Sequence, residues 1–188
     1  PDVHFEDIDI PFCADLRAKY VRLEKELVIK LCRDKEINVT NAAALVTKLL
    51  QFTSGHMYDD DKDVHPIHNL KFDALRRVAK AERSPLLVSY QFKHEEARIR
   101  EQFPDARFFS DCKRGRAEQT IAEEEKLIKA WNAGKVRMLA AHPASVGHGL
   151  NLQYGANALF WLTPTYNREH FEQMIARLAR RGQTNITK

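Results

Sequence analysis

One continuous stretch, residues 136–183, constrains the fold more than any other part of the chain. It opens with the apolar run Val136–Ala141, passes through a glycine-containing loop at 143–149, and reaches a second apolar run at Ala158–Leu162. A helical pattern follows, with one apolar face made by Phe171, Met174, Ile175 and Leu178. A strand, a glycine loop, a second strand and a cationic helix, in that order, are typical of an α/β lobe that handles nucleotides.

The alternation of helical and strand patterns begins upstream, near residue 69. It predicts helices at 70–81, 93–103, 117–133 and from about 167, and strands at 86–90, 107–109, 136–141 and 158–162. Gly134 is expected to end the third of these helices. Strands separated by helices imply a parallel sheet with right-handed crossovers. Ligands of such sheets bind at the carboxyl ends of strands, which is where both loops of the stretch begin.

The N-terminal third has a different pattern. Apolar and acidic side chains alternate over 3–10, which predicts a half-buried strand. Helical periodicity follows over 15–33 and again over 40–52, with Thr40 or Asn41 as the N-cap of the second helix. Residues 54–69 are expected to form a loop. Its aspartate run and histidines do not match the ligand spacing of a standard metal site, so we expect no metal there.

Bulk composition sets wide limits. The chain has 188 residues, 44% of them hydrophobic, and a formal net charge of +4. Such a charge permits nucleic-acid binding without requiring it. Three widely spaced cysteines are expected to be reduced thiols, and no apolar run approaches membrane length. We therefore expect a cytoplasmic protein. Because the chain begins with Pro1 and not with Met, we also expect it to be part of a longer protein.

Three segments resemble motifs of a known family. Residues 145–152, SVGHGLNL, resemble motif V of superfamily-two helicases, and residues 173–183, QMIARLARRGQ, resemble motif VI in its Swi/Snf form. Residues 87–92, LVSYQF, are similar to motif IV. The segment 131–134 and the HPASVGHGLNLQ sequence resemble the helicases of bacteriophages and prophages. The resemblance implies a RecA-like C-terminal lobe at 68–188, preceded by a strand and helical segment at 1–67.

By this resemblance, Arg177 and Arg180 are the motif VI arginines that reach across a cleft to ATP held on a first lobe. Because they are three residues apart, we expect them to project from one helix face. Guanidinium groups suit this role because they stay charged and bind phosphate bidentately. Arg181 stands where the family usually has an aliphatic residue. Ala176 and Ala179 replace the usual Asp and His.

The resemblance also assigns contacts outside the arginines. Nucleotide binding is implied for Gln173, Gly147, Gly149 and Asn151, and DNA-backbone contact for Ser145. Further candidates for phosphate contact with DNA are Lys93, Lys113 and Arg114, although a plain solvated loop explains the last two equally well. Three aromatic residues, Tyr90, Phe92 and Trp161, are expected to pack in the core rather than to stack on bases.

Two elements of a P-loop enzyme are missing from the sequence. No G-x-x-x-x-G-K-[ST] run occurs, and no acidic box follows a predicted strand. In helicases both belong to the first lobe. We therefore expect ATP and Mg²⁺ to be bound mainly by an N-terminal RecA-like lobe that this chain lacks, and the chain alone to be inactive.

Two functions remain compatible with these observations. The first is the second lobe of an ATP-dependent DNA helicase or translocase, in a bacterial cell or a phage-infected host. The second is a non-catalytic α/β module that uses the helicase scaffold for DNA binding or docking. A P-loop and an acidic box upstream of Pro1 would favour the first.

Overall fold

The computed structural model describes residues 2–33, 39–112, 117–146, 150–183 and 185–187. The helices within this part of the chain are α1 (Ala14–Arg33), α2 (Val39–Ser54), α3 (Leu70–Ala81), α4 (Lys93–Gln102), α5 (Phe109–Cys112), α6 (Ala117–Asn132) and α7 (Arg168–Leu178). The strands are β1 (His56–Tyr58), β2 (Val64–Pro66), β3 (Leu86–Ser89), β4 (Arg107–Phe108), β5 (Met138–Ala141) and β6 (Ala158–Trp161). The chain forms two compact units: a helical unit, Ile8–Ala74, and a sheet unit, Pro1–Asp7 with Leu75–Lys188.

The sheet unit contains a four-stranded parallel sheet in the order β4-β5-β3-β6. Leu86 of β3 pairs with Met138 on one side and with Ala158 on the other, so β3 and β5 occupy the interior. All four residues of each interior strand are buried. This explains why these strands read as continuous apolar runs, since a parallel strand covered on both faces has no polar side. The predicted parallel sheet is confirmed.

The core of the sheet unit is centred on side chains from α5, α6, α7 and the interior strands. Its fully buried members include Leu87, Phe109, Trp131, Leu139, Met174 and Leu178. Gly134 ends α6 as predicted: its φ is +70°, a left-handed conformation that favours glycine, and its N–H donates to the carbonyl of Trp131 at 2.9 Å. The chain thereby turns directly from α6 into β5.

A buried carboxylate connects the carboxyl ends of β3 and β6. Glu95, in the first turn of α4, is fully buried. One of its oxygens accepts hydrogen bonds from the backbone N–H groups of Gln91 and Phe92 at 2.8 and 3.0 Å. The other accepts a 2.6 Å hydrogen bond from the Thr163 hydroxyl. This arrangement orders the loop after β3 and the start of α4 together.

We expect Thr163→Val to destabilise the sheet unit by about 1–3 kcal/mol, because it removes a donor from a buried carboxylate. Thr163→Ser retains the hydroxyl and should lose much less. Urea unfolding followed by circular dichroism measures both. If Thr163→Ser costs more than Thr163→Val, the methyl group, and not the hydrogen bond to Glu95, makes the main contribution.

The helical unit pairs α1 with α2 and adds the antiparallel hairpin β1-β2. An aromatic cluster of Phe12, Tyr20, Phe52 and His68 packs with ring centroids 5.4–6.1 Å apart. Both predicted helices are confirmed. The capping prediction is wrong, however, because α2 begins at Val39 and already includes positions 40 and 41.

Two further expectations for the N-terminal third are wrong. Residues 3–10 do not form a strand: Val3 makes an isolated parallel bridge with Thr187, and Phe5 is 65% exposed. A segment with alternating apolar and polar side chains forms a strand only where it can pair with a sheet edge and pack its apolar face against another layer. The predicted loop at 54–69 contains β1 and β2, too short to show a period in sequence. Asp59, at the turn of this hairpin, pairs with His65 at 2.6 Å.

Candidate functional site

The helix α7 is held against the core along its apolar face, as its periodicity predicts. Asn167 caps it, since its side-chain oxygen accepts a hydrogen bond from the N–H of His170 at 3.0 Å. Met174 and Leu178 are buried, and Phe171 stacks on Trp161 of β6 with ring centroids 4.8 Å apart. The orientation of α7 about its own axis is therefore determined by packing, and so is the direction in which Arg177 projects.

Arg177 lies in the last turn of α7 and is only 7% exposed. Its carbonyl accepts a hydrogen bond from the N–H of Leu152 at 3.3 Å. Its Nε has no hydrogen-bond partner within the described part of the chain. Burial, and secondarily the positive charge of Arg180, lower the pKa of the Arg177 guanidinium below its usual value. A buried cation that repels a second cation has unfilled capacity for an anion.

Arg180 does not share a helix face with Arg177, which corrects the expectation drawn from their spacing. The helix ends at Leu178, Ala179 leaves the helical conformation, and Arg180 follows beyond the end. Its guanidinium donates to the Asn151 side-chain oxygen and, at 3.4 Å, to the Leu150 carbonyl. The two arginines remain close enough for one charge to depress the pKa of the other. Their proximity results from the chain turn after α7, not from helical periodicity.

The segment that meets Arg180 is anchored by α6. The indole N–H of Trp131 donates to the Leu152 carbonyl at 3.0 Å, and the Asn132 amide donates to the Asn151 carbonyl at 2.8 Å. Gln183 also holds this segment. Its amide donates to the carbonyls of Gln153 and Ala156 at 2.8 and 2.9 Å.

These anchoring roles were not predicted from the sequence. The signal was present in the Trp-Asn-Ala-Gly segment that precedes β5 and in the Gly-Gln pair that ends motif VI. Both segments contribute to the family resemblance, but neither by itself predicts which backbone groups it contacts. The structure shows what they do: Trp131, Asn132 and Gln183 hold the backbone of residues 151–156 in place.

The other predicted site residues are placed less closely around the arginines. Gln173 is half-buried, and its amide donates to Glu169 one turn earlier at 2.8 Å. The Ser145 hydroxyl donates to the His142 carbonyl at 2.7 Å, so donation to a phosphate would require that bond to exchange. Lys93 is exposed in the first turn of α4. Four predicted residues, Gly147, Gly149, Lys113 and Arg114, lie outside the described residues.

The aromatic candidates pack internally. Tyr90 is 4% exposed and donates its hydroxyl to Glu96 at 2.8 Å; burial, followed by this hydrogen bond, raises its pKa well above the usual value. Phe92 stacks on the His94 ring at 5.3 Å. Trp161 packs against the core as well as on α7. Core packing is confirmed for Tyr90, while Phe92 and Trp161 are half-buried.

Metal-ligand clusters and membrane-spanning helices are absent from the described residues. No group of three or more metal-ligating side chains gathers among them. Nor does any helix within this part of the chain combine the length and the apolar character needed to cross a bilayer.

No protein-family model matches the sequence. The chain is 35% identical over 173 residues to protein p41 of Acyrthosiphon pisum secondary endosymbiont phage 1. This match covers 91% of the chain and 35% of the phage protein, so the chain spans about a third of the length of that relative. A phage relative agrees with the resemblance seen in the motifs.

Among solved structures, the C-terminal part of the Fun30 ATPase domain is similar over 100% of this chain and 84% of its own chain, with a TM-score of 0.61. The two sequences are 14% identical, so the likeness is one of fold. Together with the sheet order, it confirms the predicted fold class. The chain has the α/β fold of a RecA-like C-terminal lobe, with a helical segment before it.

Proposed function

We propose that this chain is the C-terminal lobe of an ATP-dependent DNA helicase or translocase of the Swi/Snf-like group. In this proposal residues 68–188 form the lobe, and a first lobe elsewhere in a longer protein binds ATP and Mg²⁺. The length of the phage relative, of which this chain spans about a third, supports the existence of such a longer protein. The fold shared with the Fun30 ATPase fragment supports the assignment to this class of motor.

The observation that carries the proposal is the pair of cations at the end of α7. Arg177 and Arg180 have no carboxylate partner among the described residues, and the charge of one lowers the pKa of the other. Two guanidinium groups held together in this way repel until an anion joins them. The γ-phosphate of ATP, where negative charge shifts during transfer, is such an anion.

In the proposed mechanism Arg180 and Arg177 bind the γ-phosphate region across the cleft. Arginine fingers in P-loop enzymes accelerate hydrolysis by about 10³–10⁵-fold. Asn151 keeps Arg180 oriented through their hydrogen bond. Gln173 and the glycines at 147 and 149 complete the nucleotide contacts of this lobe. When bound, Mg²⁺ neutralises phosphate charge, and its ligands come from the first lobe.

The proposed DNA contacts are to phosphates, because a motor must move along any sequence. Lys93 is exposed beside the carboxyl end of β3, and Ser145 follows the carboxyl end of β5. Both strands are parallel, so both residues belong to one edge of the sheet. Lys113 and Arg114 are proposed as further contacts from their charge alone.

We expect the purified 188-residue chain to release no phosphate from ATP, with or without DNA, because it lacks a P-loop and an acidic box. A colourimetric phosphate assay with the longer protein as positive control measures this. DNA-stimulated turnover by the chain alone would refute the two-lobe proposal. An inactive longer protein that still binds DNA would instead favour the non-catalytic module.

A further inference from the structure

A second cationic surface lies at the amino ends of three adjoining strands. We name it the basic edge. Its exposed side chains are Arg76, Arg77, Lys80, Arg83, Arg107, Lys135 and Arg137. The strands β4, β5 and β3 are neighbours in the sheet and run parallel, so the residues that precede or begin them share one edge.

Contacts between elements bring these residues together. The Arg137 guanidinium donates to the carbonyls of Ala79 and Arg83 at 3.3 and 2.9 Å, so the end of α3 touches the start of β5. Arg107 pairs in register with Leu139, two residues after Arg137. The basic edge is therefore one continuous surface.

The side of α3 joins the same surface. Arg76 donates to Gln102 at 3.0 Å, and Gln102 is the last residue of the helix that leads into β4. Lys80 follows Arg76 by four residues within α3, so the two lie on the same side of that helix. Arg83 lies two residues beyond the end of α3, where its carbonyl accepts the hydrogen bond from Arg137.

Carboxylates near the basic edge offset only part of its positive charge. Five of its members take part in no ion pair with the described residues: Arg77, Lys80, Arg83, Arg107 and Lys135. The nearby carboxylates are those of Asp73 in the first turn of α3, Glu82, Glu101 and Asp105, four against seven cations. The Glu82 carboxylate accepts from the Arg83 and Ser84 N–H groups and the Ser84 hydroxyl. Some exposed cations outside the basic edge do have a carboxylate partner, as Arg168 has Glu172 at 2.7 Å.

The chemistry of the surface indicates its partner. Among the described residues, none of the large exposed apolar side chains belongs to the segments that form the basic edge. That disfavours membrane insertion, base stacking and an apolar protein interface. Three of the five cations without an ion pair, Arg77, Arg83 and Arg107, are arginines, whose planar guanidinium groups suit phosphate oxygens. We propose that the basic edge binds the phosphate backbone of a nucleic-acid duplex, as a contact separate from those of Lys93 and Ser145.

The dimensions fit such a partner. Three strands spaced about 4.8 Å apart span about 10 Å, and residues 76–81 add about 8 Å along α3. A duplex carries one charge per about 1.7 Å of its axis, so several phosphates face a surface of this size. Three phosphate contacts correspond to a slope of log K against log salt of about −2.7. The contact needs no ATP and no first lobe, so it stands or falls independently of the proposed motor function.

The test compares two triple variants of the 188-residue chain. The first, Arg77→Gln/Lys80→Gln/Arg107→Gln, removes three charges of the basic edge. The control, Arg17→Gln/Lys25→Gln/Lys126→Gln, removes three exposed charges on α1 and α6 that take part in no ion pair with the described residues. Fluorescence anisotropy with a 20-base-pair DNA duplex gives Kd at several salt concentrations, and circular dichroism verifies folding.

We expect the basic-edge variant to bind about tenfold or more weakly, with a salt slope reduced by about 2 to 3, and the control to stay within about twofold of wild type. The same loss should persist when Lys93→Gln is added to both proteins. The proposal would be overturned if the two triple variants lost equal affinity, if the wild-type chain bound no duplex, or if the effect disappeared in the Lys93→Gln background. It would also be overturned if the basic-edge variant lost binding to phosphatidylserine vesicles and kept its duplex binding, which would indicate a lipid surface.

Discussion

Arg180→Ala in the longer protein should reduce kcat for ATP hydrolysis by about 10³-fold or more and leave ATP affinity within a few-fold of wild type. The reason is that the proposed guanidinium contact strengthens only as charge shifts in the transition state, and such an interaction appears in kcat rather than in binding. Arg180→Lys keeps the positive charge but loses the planar guanidinium that binds phosphate bidentately, so it should recover only part of the wild-type kcat. Steady-state phosphate release and nucleotide-binding titration give the two constants.

The matched control is Arg181→Ala, since Arg181 is the exposed neighbour without an assigned role. It should leave kcat unchanged. A second measurement separates chemistry from structure. Arg180 also donates to Asn151, so if it only braces that residue, Arg180→Ala should lower the free energy of unfolding together with kcat. Normal turnover in Arg180→Ala, or a kcat loss accounted for by unfolded protein, would remove the finger role.

Trp131→Ala should destabilise the sheet unit by about 3–5 kcal/mol. The indole is fully buried, and its N–H satisfies the Leu152 carbonyl. Gly155 lies directly against this ring: a Cβ at that position would be 2.3 Å from the indole Cδ1 and Nε1. Gly155→Ala should therefore also be destabilising, by about 1–3 kcal/mol, because the buried ring or the hydrogen-bonded loop must shift to admit the methyl group.

The two substitutions should not be additive. Once the indole is removed, the alanine methyl at 155 enters the space it leaves, so Gly155→Ala should cost much less in the Trp131→Ala background. Gly134→Ala is the matched control glycine: no atom lies within 4 Å of its Cβ position, and its φ of +70° predicts a loss of about 1–2 kcal/mol from backbone strain alone. That loss should add to Trp131→Ala. Urea unfolding followed by circular dichroism measures all five variants, and additivity for Gly155 would show that the loop relaxes away from the ring.

Much of the sheet unit could be predicted because its signals are local. Interior strands such as Leu86–Ser89 are apolar throughout, and α7 carries its apolar residues at helical spacing. A cap such as Gly134 depends on the conformation of one residue. These features depend on neighbouring residues and not on where the rest of the chain lies, so the amino-acid sequence predicts them reliably.

The arrangement of the candidate site could not be predicted in the same way. Spacing suggested that Arg177 and Arg180 share a helix face, but the helix ends between them. Arg180 instead meets Asn151, 29 residues earlier, and Gln183 reaches carbonyls 27 and 30 residues away. The prediction of a strand at 3–10 was wrong for a related reason. Alternating side chains do not ensure that a sheet edge is available to pair with the segment.

The α/β class, the parallel sheet and the identity of the cations around α7 follow from the order of residues alone, since periodicity and motif spacing are properties of neighbouring residues. Which of those cations meet, and where the basic edge forms, is visible only in the folded chain. The physical reason is that these features depend on strand order and on helix packing, and both bring together side chains far apart along the chain.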